Sequence, residues 1–257
     1  MQHIQHKGLA WYTFNRPAAS FRHGLITRQG GASQGPFAAL NLGSTVGDDP
    51  AAVRKNHDRL FAAWSLTRAQ VVSPHQVHGS HVACVTHNDG GQLIPQTDAL
   101  ITAARGLALL LRFADCTPVL FYDPEHHVAG LAHAGWRGVA AGVIPATVRA
   151  LQTTFGSRPP ALWAGIGPAI SALHYEVGAE VVTAVREAVP ADIPIATPDG
   201  ERWRLDMARA VTAQLHAAGV QNIELSGFCT ASNTAEWYSH RAEAGKTGRF
   251  GVLVMLA

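Results

Sequence analysis

Ala114–Gly138 reads ADCTPVLFYDPEHHVAGLAHAGWRG, and two apolar runs, Val119–Tyr122 and Val128–Ala132, flank Asp123-Pro124-Glu125-His126. Asp followed by Pro signals a type I turn, and four-residue hairpin loops are often built on one. The stretch therefore predicts a β-hairpin. With the loop centred on those four residues, Tyr122 pairs with His127 and Cys116 falls opposite His133. Directly opposed residues share a face, with Cβ atoms about 4.5–5.5 Å apart. That spacing suits a thiolate and an imidazole gripping one metal ion, or a Cys–His catalytic pair. Pro118 cannot donate to a ladder, which predicts an edge or a bulge. A one-residue slip would place the two side chains on opposite faces.

Gly135-Trp136-Arg137-Gly138 then leads into Val139–Thr154, which reads as a helix. A glycine-bracketed turn at a helix start exposes N–H groups that suit an anion, and Arg137 adds a planar fixed charge. A soft metal pair and an anion cradle thus lie close together in sequence.

The rest of the chain bounds the answer. Its 257 residues are 47% hydrophobic and 15% charged, a globular composition that one domain spanning 1–257 can accommodate. A net charge of +2 without a Lys/Arg run gives no support to nucleic-acid binding. No apolar stretch reaches the roughly 18 residues of a membrane span, and the N-terminus lacks a secretory layout. Cys84, Cys116 and Cys229 are few, odd in number and widely spaced, which predicts reduced thiols in the cytoplasm.

Strands are expected at Trp11–Phe14, Phe21–Thr27, Gln70–Val72, His81–Thr86, Ala99–Thr102, Leu107–Phe113, Leu162–Ile166, Val220–Leu225 and Phe250–Leu256. Asp49 should cap a helix that opens on Pro50, Asp206 should cap another, and Ala179–Val189 carries a valine stripe. Gln29–Gly47 is a long glycine-rich loop, and loops of that length are usually functional or mobile. His75, His78 and His81 recur every three residues beside a turn, and spacing alone does not choose among them. Strands and helices mix without a strict βαβ rhythm, so the expected class is α+β, a single domain of layered mixed sheets flanked by helices. No phosphate-binding glycine motif of the nucleotide folds is present.

Three readings compete for Cys116, His133 and a third histidine. A catalytic zinc would use one thiolate and two imidazoles, leave one position open, and bring bound water to a pKa of about 7. A Cys–His hydrolase would need no metal. A buried small thiol beside a hydrogen-bonded imidazole would be structural only. The facing pair, the adjacent anion turn and the spare histidines favour metal.

ADCTPVLFYDP, VAGLAHAGWRG, HQVHG, TDALIT, LNLGSTVGDDP and the late KTGR together resemble the laccase-domain family, also called polyphenol oxidases and purine nucleoside phosphorylases, from about Arg28 to Leu256. The resemblance implies a fold like the cytotoxic necrotising factor catalytic domain. It also implies Zn2+ held by His78, Cys116 and His133, which serve as the catalytic residues. The implied activity is phosphorolysis of adenosine, inosine and methylthioadenosine with some adenosine deamination. Purine nucleoside and phosphate would be the partners, and a monomer is expected. Phosphate would meet Arg137, with Arg28, Asn41, Arg241 and Arg249 as further substrate-binding candidates. Cytoplasmic editing of a peptidoglycan precursor is the enzymatic alternative, and a non-catalytic module stabilised by zinc is the alternative from another class. Multicopper oxidation gains no support, because the chain has no His-x-His pair. The family's second Gly-Pro is replaced by Ser171-Ala172, and His240 stands in a YSYRR-like pattern. Asp115 adjoins the cysteine, but strand alternation would aim it at the opposite face, so no general acid is assigned.

Overall fold

A computed structural model describes residues 1–257. The first of two large sheets has seven strands, in the order Gln2–His6, Leu9–Thr13, Phe21–Ile26, Phe250–Leu256, Ala108–Phe113, Val71–Pro74 and Leu93–Ile94. The second has six, in the order Asn222–Leu225, Trp163–Ile166, Thr117–Asp123, Val128–Ala134, Ala99–Thr102 and Val82–Cys84. Both mix parallel and antiparallel pairs, in keeping with the expected α+β class.

Period-two alternation dictates how the layers stack. Leu109, Leu111 and Phe113 face the second sheet and meet Leu100, Leu120, Leu131 and Trp163. Ala108 and Leu110 face the other way, onto Leu60, Phe61 and Trp64 of the helix Pro50–Trp64. Val119, Phe121, Ala132 and Ala134 point outward from the second sheet onto the helices Val143–Phe155, Ala179–Arg186 and Met207–Ala217. The layers therefore run helix, sheet, sheet, helices. Each strand of the hairpin is buried at every position and flanked by a further strand. Burying one such aliphatic side chain contributes roughly 1.5–3 kcal/mol, so the hairpin is a rigid base for whatever stands at its open end.

The hairpin is present, but in a different register. Asp123 pairs with Val128 and Pro118 with His133, so the loop is Pro124–His127. Asp123 stays in the strand, and its Oδ1 accepts from the amides of Glu125 and His126 at 2.8 and 3.1 Å. His127 closes the turn at φ +55°. Each strand residue is displaced by two from its expected partner, and a shift of two preserves every face. Cys116 accordingly lies just before the strand rather than directly across from His133. Pro118 lies inside the ladder, not at an edge. Its carbonyl accepts from Gly167 N at 2.9 Å, so its missing N–H falls just beyond the end of Trp163–Ile166, where no ladder acceptor waits.

Other boundaries moved for local reasons. The helix expected over Val139–Thr154 is divided into Trp136–Ala140 and Val143–Phe155 by Gly142 at φ +78°. The three-stranded sheet of Glu176–Val177, Arg202–Leu205 and Ala196–Asp199, and the edge strand Gln2–His6, are polar and carry no apolar rhythm. Asp49 caps its helix by accepting from the amides of Ala51 and Ala52, and Asp206 by accepting from that of Arg209. No helix is long and apolar enough to cross a membrane.

Candidate metal centre

At the open end of the hairpin, the ligand atoms of His78, Cys116 and His133 all lie within 4.8 Å of one another. His133 ends a central strand and packs on Phe113, ring centroids 5.5 Å apart. Cys116 comes from the bend between Ala108–Phe113 and Thr117–Asp123, and His78 from the loop after Val71–Pro74. The two imidazoles are 4.8 Å apart at 71°.

One buried carboxylate sets both histidines. Asp98 Oδ1 accepts from His133 Nδ1 at 2.8 Å and from the His78 amide at 3.0 Å. Its Oδ2 accepts from the amides of Val77 and Gly79 at 3.1 and 2.7 Å. With Nδ1 donated to Asp98, His133 has Nε2 left as its ligand atom. Three successive amides on one carboxylate also hold His78 at φ +61°, a conformation uncommon for a residue other than glycine. Sequence reading did not single out Asp98. Its signal was an acid opening an otherwise apolar strand in TDALIT, where burial demands partners.

Electrostatics follow from this packing. Burial pushes the Cys116 thiol up, but the charge and hydrogen bonding of His133, and then of His78, outweigh it and bring the thiol down to about 6. Burial opposes the His133 imidazolium, yet the Cys116 charge and the Asp98 carboxylate raise it to about 9. Asp98 is itself desolvated, and its bonds to His133 and to the Gly79 and Val77 amides hold it below the usual carboxylate range. Cys116 and His133 thus favour each other's charged forms, and a metal ion would take the place of the proton between them. One thiolate and two imidazoles are a fitting donor set for zinc with a fourth position open. Space for an ion exists because residue 135 is glycine: a Cβ there would stand 3.0 Å from both Cys116 Sγ and His78 Cδ2. A second cluster, Asp123, Glu125 and His126, is of another kind. It sits at the hairpin's far end, contains no thiolate, and pairs Glu125 with Arg158.

The remaining predicted residues divide. Tyr175 marks the rim: burial and the Cys116 charge push its hydroxyl up to about 12, with Arg241 opposing, Asp115 adding and Arg137 opposing. Arg249 is lowered by burial and raised by Cys116 and Asp115. Arg249 and Tyr175 therefore lie within charge range of Cys116, and Arg137 and Arg241 within charge range of Tyr175. Arg137 is exposed and stacked on Trp136, 4.3 Å from the ring centroid. It stands on the five-residue helix Trp136–Ala140, not at the head of the long one.

Arg28 is turned inward. It donates to the carbonyls of Ala38 and Thr234, pairs with Glu243 at 2.9 Å and lies over Tyr238. Asn41 is fully buried, bonded to Gly43, Asp48 and the Arg249 amide, so it reaches the centre only by fixing Arg249. His81 bonds Thr97, and His75 is outside the group. Asp115 is not on a strand, so alternation does not govern it; it sits in the bend at φ +82°.

Residues 22–257 match the family described as multi-copper polyphenol oxidoreductase laccase. The chain belongs to this laccase family. Among its relatives, purine nucleoside phosphorylase YlmD of Geobacillus stearothermophilus is 40% identical over 91% of this chain and 89% of its own. A purine nucleoside phosphorylase of Pseudomonas aeruginosa is 41% identical over 96% and 98%, and one of Streptomyces coelicolor 42% over 91% and 94%. The crystal structure of YlmD from G. stearothermophilus superposes with a TM-score of 0.95, covering 100% of this chain and 98% of that one at 36% identity. For all the copper in the laccase family's description, this member gathers one Cys–His–His group rather than several histidine pairs.

Proposed function

We propose that the protein is a zinc-dependent purine nucleoside phosphorylase acting on adenosine, inosine and methylthioadenosine, with accessory adenosine deaminase activity, and that it works as a cytoplasmic monomer. The observation that carries this reading is the gathering of His78, Cys116 and His133, with Arg249 in charge range of Cys116 and with Arg137 and Arg241 around the neighbouring Tyr175. The names of relatives about 40% identical along nearly the whole chain support it.

His78, Cys116 and His133 would hold the zinc, which when bound supplies Lewis acidity toward an oxygen or nitrogen of the substrate. The protein's own residues do the rest. Asp98 keeps His133 in one tautomer and anchors the His78 loop. The arginines supply the positive charge that a phosphate dianion requires, in planar forks suited to its oxygens. The buried floor of Phe113 and the hairpin keeps water from beneath the centre, which strengthens every charge interaction above it. In phosphorolysis a phosphate oxygen bonds to C1′ of the ribose as the bond to the purine nitrogen breaks, its electrons leaving with the base.

The test is direct. Purified protein is incubated with inosine, with and without phosphate, and hypoxanthine and ribose 1-phosphate are measured. Release that does not depend on phosphate overturns the phosphorylase reading. Inosine appearing from adenosine tests the deaminase activity. A chelator should abolish turnover; if it lowers only the melting temperature, and no nucleoside changes that temperature, a structural zinc module is the better reading.

A further inference from the structure

Asp115 adjoins Cys116 and does something the metal group does not require. It is a non-glycine residue at φ +82°, a backbone that persists only where the surroundings hold it. Its carboxylate is bonded at both oxygens. Oδ1 accepts from Thr230 Oγ1 at 2.6 Å, and Oδ2 accepts from the Arg241 amide at 2.7 Å. Its carbonyl takes the amide of Ile170 at 3.0 Å. Residues distant in sequence thus converge on Asp115, and the segments of Ile170 and Thr230 are themselves tied together: Thr230 N donates to Ala169 O at 3.1 Å. Arg241 is anchored in turn at its other end. Its guanidinium donates to Glu176 O at 2.7 Å and lies 5.3 Å from the centroid of the Tyr175 ring. Both carboxylate oxygens of Asp115 are thus engaged within the chain, one by a hydroxyl and one by a backbone amide, an arrangement that holds structure in place.

We propose that Asp115 is a positioning residue, whose carboxylate fixes the backbone at Arg241 and with it the Arg241–Tyr175 stack beside Cys116. This rests on reading Arg241 as a phosphate-binding residue. A guanidinium fixed at its backbone and at its fork loses little freedom when an anion arrives, which is where positioning raises affinity. Asparagine can replace Asp115 in this role. It tolerates the left-handed backbone, its Oδ1 can accept from Arg241, and its Nδ2 can donate to the rotatable hydroxyl of Thr230. Glycine suits the backbone better than either and lacks the carboxylate.

The two variants separate positioning from a need for the bend alone. Asp115→Asn is expected to stay within about threefold of the parent in KM for phosphate. Asp115→Gly should raise that KM by about tenfold or more, the effect of removing one charge-assisted hydrogen bond, with kcat less affected and zinc content unchanged. In an Arg241→Ala background, Asp115→Gly should add almost nothing, since coupled residues do not act additively. A glycine variant as good as the parent, full multiplication of the two effects, or loss of zinc from the glycine variant would each overturn the proposal. Hydrogen exchange keeps it testable should wild-type turnover prove independent of phosphate. Asp115→Gly should speed exchange at the Arg241 amide and leave the Thr117–Asp123 strand protected. An unchanged Arg241 amide refutes the positioning role whatever the reaction is.

Discussion

Two arginine-bearing regions make opposite use of the same side chain. Around the glycine-rich loop, Arg28 and Asn41 have their polar atoms taken by carbonyls, carboxylates and amides of the chain itself. At the open end of the hairpin, Arg137 rests on a tryptophan face, and the guanidinium groups of Arg241 and Arg249 donate only to backbone carbonyls. None of those three forms an ion pair with an acid of the chain. Both regions belong to stretches that resemble the family's motifs. A motif residue whose charge is paired internally holds a loop; one whose charge is unpaired beside an open group is available to a substrate.

The comparison can be broken in several places. The largest effect belongs to Cys116→Ala, which should reduce zinc content by elemental analysis and lower turnover about a thousandfold or more. A variant that keeps full zinc would remove the hairpin end from the metal assignment. Next comes Arg28→Ala, which leaves Glu243 unpaired in a partly buried site and should cost roughly 3 kcal/mol in urea denaturation, with KM for phosphate unchanged. An altered KM at unaltered stability would put Arg28 among the substrate residues and erase the contrast.

A pH titration sharpens it further. His23 accepts the Phe14 amide at Nε2, 2.8 Å away, and so must be neutral in the folded state. Burial lowers it from 6.5 to about 4, with only its bond to the Phe21 carbonyl opposing. Its contribution is full above pH 6.5 and is lost as pH falls toward 4, because the unfolded chain takes the proton first. The loss should reach about 3 kcal/mol, followed by denaturation at each pH, and His23→Gln should flatten that part of the curve. The smallest expected effect is that of Asp98→Asn, a tenfold to hundredfold weaker zinc affinity in a competition titration. Unchanged affinity would mean that the carboxylate only ties the His78 loop.

Much of this was legible in the chain. Two apolar runs around an Asp-Pro turn gave the hairpin, further apolar runs gave most strands of the two large sheets, and the two aspartate caps were placed by their position before a helix. The loop was misjudged because Asp123 builds the turn from inside the strand and His127 accepts a backbone usually left to glycine or asparagine. The error was harmless to the site because parity, not partner identity, decides which face a side chain takes. His78 could not be chosen from its neighbours by spacing. What distinguishes it is three amides on Asp98, a contact twenty residues away in sequence. The inward turn of Arg28 was equally invisible, since it depends on Thr234 and Glu243, more than two hundred residues downstream.

The unequal exposure of the two imidazoles has a kinetic consequence. His133 lies 3% exposed at the bottom of the group, whereas His78 stands at the surface. An ion held by this group would therefore meet His78 first on arrival and be released by it first on departure. Scavengers small enough to slip past the imidazole at the mouth should strip the protein quickly, and bulky ones of equal strength should have to wait for spontaneous release.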